Sequence, residues 1–95
     1  VPTLRVSDRA LEAFRGFLGN GDEVILVDID REYQAGLSVG PRPAQAIFVD
    51  ESGVVFAFDR LSATRAEGLT IDFVDTPEGS AFKIDSPLAV SYTHL

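Results

Sequence analysis

Leu69-Thr-Ile-Asp-Phe-Val-Asp-Thr-Pro-Glu-Gly-Ser-Ala-Phe-Lys-Ile-Asp-Ser-Pro87 is the stretch that decides the fold. Leu69–Asp75 and Ser80–Ile84 read as two strands around the turn residues Thr76-Pro77-Glu78-Gly79, because proline and glycine punctuate two runs of strand-forming residues. Lys83 alternates with Phe82 and Ile84, which makes it an outward charge or one half of a cross-strand pair.

Working back from that pair, Arg60–Glu67 suits a short helix closed by Gly68. Ala46–Asp50 and Val54–Asp59 flank Glu51-Ser52-Gly53 and read as a hairpin. Gly36–Gly40 is a short strand ended by Pro41-Arg42-Pro43, since proline has no N–H for a ladder; this stiff connector is placed beside Gln34. Glu23–Asp30 begins as a buried run and turns into alternation, with Asp28 and Asp30 on one face and Val27 and Ile29 on the other. At the start, Leu4–Val6 is a short strand. Ser7 then stands at an N-cap with Asp8 in the first turn. Ala10, Leu11, Phe14, Phe17 and Leu18 form a helical apolar stripe, and Gly19-Asn20-Gly21 ends it. The seven phenylalanines fit a core better than a binding platform, and Phe56 and Phe58, two apart, share a face. The predicted fold is mainly β: a small β-sandwich or pseudo-barrel of short mixed strands, with an N-terminal α-helix and one further short helix. Residues 1–95 form a single domain, with 88–95 as a flexible tail.

The final block resembles the A-type iron–sulfur carriers, the HesB/IscA-like family. There a hydrophobic-Asp-Tyr/Phe-Val strand leads to Gly-x-Gly/Ala-Phe-Lys-hydrophobic-x-x-Pro, as in Gly79–Pro87 here. Leu4–Ala10 matches the family's opening more loosely, and Val54–Asp59 the strand before its short helix. The resemblance implies the sandwich just described, dimers or tetramers, and protein partners within the iron–sulfur assembly machinery. It also implies three cysteine ligands, and here the chain departs from the pattern, because it has no cysteine. The family's Cys-Ser-Gly-Leu turn corresponds to Gln34-Ala35-Gly36-Leu37, and its Cys-Gly-Cys to Thr93-His94-Leu95. An amide, a hydroxyl and an alkyl group at Gln34, Thr93 and Leu95 replace thiolates, which are what hold iron–sulfur clusters. The resemblance thus points to a cysteine-free divergent member with no cofactor of its own, acting as a non-enzymatic accessory or interaction protein.

Composition narrows the other options. A net charge of −7 with no basic stretch argues against nucleic acid. No apolar run approaches the roughly 20 residues of a membrane span. The opening residues lack a signal-peptide pattern, so a cytoplasmic location is the default. The lone His94, penultimate in the sequence, is read as a solvated residue and gives no basis for a Ser–His nucleophile. Asp28, Asp30, Glu32 and Tyr33 supply the hard oxygens that suit a metal such as a hard cation or ferric iron. Their plain reading is a solvated strand face running into a loop.

Overall fold

The computed structural model describes residues 3–18 and 22–94. The chain runs β1 (Leu4–Val6), α1 (Asp8–Phe17), β2 (Glu23–Ile29), β3 (Ala35–Pro41), β4 (Ile47–Glu51), β5 (Val54–Phe58), α2 (Arg60–Arg65), β6 (Leu69–Thr76), β7 (Gly79–Asp85) and β8 (Val90–Thr93). The strands form two four-stranded mixed sheets, ordered β1-β6-β7-β8 and β3-β2-β5-β4. The parallel pairs are β1 with β6 and β2 with β5.

Local chemistry explains each boundary. The Ser7 hydroxyl accepts a hydrogen bond from the Ala10 N–H at 3.1 Å, satisfying one of the free donors of the first helical turn, and donates to Asp72 Oδ1 at 2.6 Å. Asp59 does the same for α2, accepting from Ser62 N–H at 2.7 Å. The β4–β5 hairpin turns on Ser52 and Gly53 alone, at φ 53° and 90°, the left-handed pair that matches strand twist. α2 ends at Arg65 with Ala66 as its C-cap, short of the expected Glu67, and the turn that follows runs to Gly68, whose φ of 77° a side chain would resist. The strands flanking Pro77-Glu78 extend further than the sequence suggests, with Thr76 paired to Gly79. β3 also exceeds the expected Gly36–Gly40, reaching Pro41 as its last residue.

The inner faces of the two sheets and α1 share one core. Leu69, Ile71, Phe82 and Ile84 come from one sheet, and Ile25, Val27, Ile29, Phe56 and Phe58 from the other. Phe14 of α1 joins them. Its ring stacks on Phe82 at 4.2 Å between centroids and meets Phe56 edge-on at 5.2 Å. Offset-stacked and edge-to-face contacts of this kind add about 0.5–1.5 kcal/mol each beyond burial. Phe17, expected on the same stripe, is 44 % exposed and touches only the margin of Phe82, with centroids 6.1 Å apart. Phe48 is half-buried, with the Arg42 guanidinium 4.8 Å over its ring.

Three expectations need correction or restriction. The tail predicted over residues 88–95 contains β8, which pairs antiparallel with β7 from Val90 opposite Asp85 to Thr93 opposite Phe82. Alternation explains why: Ser91 turns inward and is buried, while Val90 and Tyr92 face out. Pro41-Arg42-Pro43 is not beside Gln34. The two lie at opposite ends of β3, separated by seven residues at about 3.3 Å each. The helix stop at Gly19-Asn20-Gly21 falls outside the described residues; α1 itself ends at Phe17, and the extended Leu18 donates its N–H to Phe14 O.

Candidate functional site at the seam of the two sheets

β3 and β8 are edge strands of different sheets, and they meet through side chains. Their junction holds two of the positions where the resemblance puts metal ligands. The β2–β3 connection spans residues 30–34 and is rigidly built. Asp30 Oδ1 accepts from the backbone N–H groups of Glu32 and Gln34, both at 2.9 Å. The Asp30 carbonyl accepts from Tyr33 N–H, and the Asp30 N–H donates to Gln34 O, each at 3.0 Å. Tyr33 takes the left-handed conformation at φ 64° while its half-buried side chain packs against the core. A non-glycine residue holds that conformation only where its surroundings determine it.

The end of β2 that feeds this loop is clamped by α2. Ile29 N–H donates to the buried Ser62 hydroxyl at 2.9 Å, and Arg65 Nη1 donates to Ile29 O at 2.8 Å. Gln34 is thereby delivered to β8. The Ser91 hydroxyl donates to Gln34 Oε1 at 3.3 Å and accepts from Ala35 N–H at 2.9 Å. Thr93, two residues on and hence on the same face, donates through Oγ1 to Ala35 O at 3.5 Å.

The structure therefore brings Gln34 together with Ser91, and sets Thr93 of β8 against Ala35, the residue that follows Gln34. Leu95 lies outside the described residues. Ser91 is the residue that sequence reasoning missed. The available signal was its spacing: Ser91 and Thr93 are separated by one residue, as are Thr93 and Leu95, and strand alternation puts both on the inner face.

The chemistry of this donor set does not fit a cluster. Every protein oxygen at the seam is neutral and hard, and no thiolate exists in the 95 residues. The Gln34 and Ser91 side chains are also occupied by each other and by the Ala35 backbone. What the arrangement does is fasten one sheet to the other.

The second candidate set is not gathered into one site. Asp28 faces outward from β2 into a separate cleft of about 460 Å³, lined also by Asp59, Leu26, Ala57 and Pro43. Asp30 binds its own loop and Tyr33 turns toward the core, leaving Glu32 exposed. Among the described residues no three His, Cys, Asp or Glu side chains group closely enough to hold a metal ion. His94 is exposed. Lys83 stands opposite Asp72 across β6–β7, the cross-strand pair its alternation suggested. The Asp72 carboxyl is held below its ordinary range. The Ser7 hydroxyl is the main cause, followed by the Phe73 N–H; partial burial opposes them, and Arg9 and Lys83 reinforce them.

No family model matches the chain. A short segment of 37 residues is 54 % identical to Protein Rv2204c and Protein MT2260 of Mycobacterium tuberculosis and to Protein Mb2227c of Mycobacterium bovis. It covers 39 % of this chain and only 31 % of each of those relatives. Among solved structures, Escherichia coli SufA, involved in the biosynthesis of iron–sulfur clusters, superposes with a TM-score of 0.75 at 17 % identity. That match covers 90 % of this chain and 87 % of SufA. IscA in complex with a [2Fe-2S] cluster gives 0.67 at 15 % identity, over 98 % of this chain and all of IscA. Identity this low speaks for architecture alone, and on architecture the two agree: the chain has the HesB/IscA-like fold.

Proposed function

We propose that this domain is a non-enzymatic accessory or interaction module of iron–sulfur cluster assembly that does not itself carry the cluster. Support for the pathway comes from the fold shared with SufA, which is involved in iron–sulfur cluster biosynthesis, and with IscA, which holds a [2Fe-2S] cluster. One observation carries the non-carrier part. Of the positions to which the resemblance assigns ligands, Gln34 and Thr93 offer an amide and a hydroxyl, already hydrogen-bonded to Ser91 and to the Ala35 carbonyl respectively.

Cluster or iron in this reading is cargo of the partners. The domain acts through surface contacts with other proteins of the machinery, and self-association belongs to the same reading. No helix among the described residues is long and apolar enough to cross a membrane. A cytoplasmic site of action accords with the role.

Anaerobic reconstitution with ferrous iron and sulfide tests the proposal. The expected result after desalting is a colourless protein with iron far below one equivalent. A stable brown holoprotein with stoichiometric iron and sulfide overturns it.

A further inference from the structure

The outer face of the β3-β2-β5-β4 sheet holds a cleft of about 460 Å³ that the seam does not explain. Val27 and Ile29 point into the core, so Leu26 and Asp28 point away from it. Register sets Ser38 and Ala57 beside Leu26, and Gly36 beside Asp28. The described residues lining the cleft include two carboxylates, Asp28 and Asp59, and no Lys, Arg or His. One residue orients both. The Ser62 N–H donates to Asp59 Oδ1 at 2.7 Å, and its hydroxyl lies 3.5 Å from Asp28 Oδ1. Arg60 borders an adjoining hollow, yet neither carboxylate has an ion-pair partner among the described residues. Gly36 adds a second observation. Its φ lies outside the left-handed region, and a Cβ there would meet nothing within 4 Å. Neither backbone nor packing calls for glycine at this position. The missing side chain leaves the Asp28 carboxylate uncovered from β3.

We infer that this cleft receives an arginine side chain of a partner protein, its stem along Leu26 and Ala57 and its guanidinium against Asp28 and Asp59. Charge complementarity decides the occupant. A neutral apolar group would strip water from two carboxylates without replacing their hydrogen bonds, and an anion would be repelled. A hard metal ion takes six or more oxygens, and among the described residues no three acidic or histidine side chains converge. Arginine satisfies both halves of the cleft. Its methylenes lie on apolar surface, while its fork of N–H donors reaches two acceptors at once. A lysine ammonium is more strongly hydrated and gives up more on leaving water. The net charge of −7 also steers a cationic segment toward the domain. A single arginine held this way binds weakly, with Kd on the order of 0.1–1 mM, and the surrounding interface supplies the rest. The inference rests on the interaction-module reading and adds the chemistry of the partner. Absence of binding removes the cleft and leaves that reading standing, whereas a brown holoprotein removes the reading alone.

An amide NMR titration with the capped peptide Ala-Val-Arg-Val-Ala is the test, beside the same peptide with citrulline, which keeps the shape and lacks the charge. With the arginine peptide, the amides of Asp28, Gly36, Ala57 and Asp59 should shift saturably below about 5 mM. The citrulline peptide should leave them in place. Asp28→Asn, and Asp59→Asn, which still caps α2, should each weaken binding about three- to tenfold. Gly36→Val suits a strand and covers Asp28; it should weaken binding at least about tenfold without lowering the melting temperature. Glu78→Gln removes one charge from the β6–β7 turn and should change the affinity less than about twofold. No saturable shift overturns the inference, as does citrulline binding equally, or Asp28→Asn and Gly36→Val binding like the wild type. Agmatine matching the peptide overturns it too, because the occupant is then a free organic cation rather than a partner protein.

Discussion

The two sheets are held together in two chemically different places. Near α1 the joint is dry and aromatic: Phe14 lies fully buried between Phe82 of one sheet and Phe56 of the other. At the β3–β8 seam the joint is polar, with Ser91 bridging Gln34 and the Ala35 N–H, and Thr93 reaching the Ala35 carbonyl. The aromatic joint gains from every square ångström it removes from water. Each hydrogen bond at the seam replaces one that water would have made, so its net worth is about 1 kcal/mol. The larger share of stability therefore sits at the helix, and the seam tolerates change in its side chains at smaller cost.

Truncating the aromatic joint is expected to have the largest effect. Phe14→Ala removes the ring that touches both sheets and should cost about 3–5 kcal/mol, a large part of the roughly 5–15 kcal/mol that holds a domain of this size. Urea denaturation should show the midpoint collapsing with little change in slope, and Phe14→Leu should recover about half of the loss. If Phe14→Ala costs less than a seam variant, the division of labour drawn above is wrong.

Ser91→Ala comes next, at about 1–3 kcal/mol, because it leaves the Ala35 N–H beside a nearly buried position without its acceptor. Gln34→Ala should cost only a few tenths of a kcal/mol, since the exposed amide is replaced by water. The order of these two, read from thermal melts, sharpens the account of the seam: Ser91 closes it, and Gln34 merely borders it.

How much of this was legible in the sequence varied with the kind of interaction. Local signals were enough for α1, its N-cap and the two hairpins, since Ser7, Gly53 and Pro77 act within a few residues of themselves; the cap of α2 was not read, because Asp59 was assigned to the preceding strand. Alternation put Phe56 and Phe58 on one face, and both lie in the core. The seam was not legible in this way. Ser91 and Gln34 lie 57 positions apart, and nothing local says that β8 forms, because its four residues gain their stability from β7 and from side-chain bonds to β3. The resemblance to the carriers singled out Gln34 and Thr93, and both lie along the seam. Only the strand pairing singles out Ser91. Phe17 shows the converse limit: helical periodicity gave it a place on the apolar stripe, but its ring meets only Phe82, at 6.1 Å between centroids, and is left 44 % exposed.

A third contact joins α1 to its sheet without either of those chemistries dominating. Ser7→Ala removes both the cap of α1 and the bond to Asp72, for about 1 kcal/mol, or roughly 4–8 °C in a domain this size. The charge on Asp72 gives less. Its carboxyl titrates below the ordinary value of 3.8 in the folded chain, because the Ser7 hydroxyl and the Phe73 N–H stabilise the ionised form. A depressed carboxylate stabilises the fold fully above its unfolded pKa and loses that contribution as the pH falls through the folded one. Asp72 is only half-buried, so solvent screening holds the effect to a few tenths of a kcal/mol. Asp72→Asn keeps the acceptor oxygen and removes the charge. Its melting temperature should lie about 1–3 °C below wild type at neutral pH, with the gap closing as the pH is lowered past the ordinary carboxylate value. A gap that stays constant down to pH 2–3 would mean that shape at the Ser7–Asp72 contact matters and charge does not, which would align this contact with the uncharged hydrogen bonds of the seam.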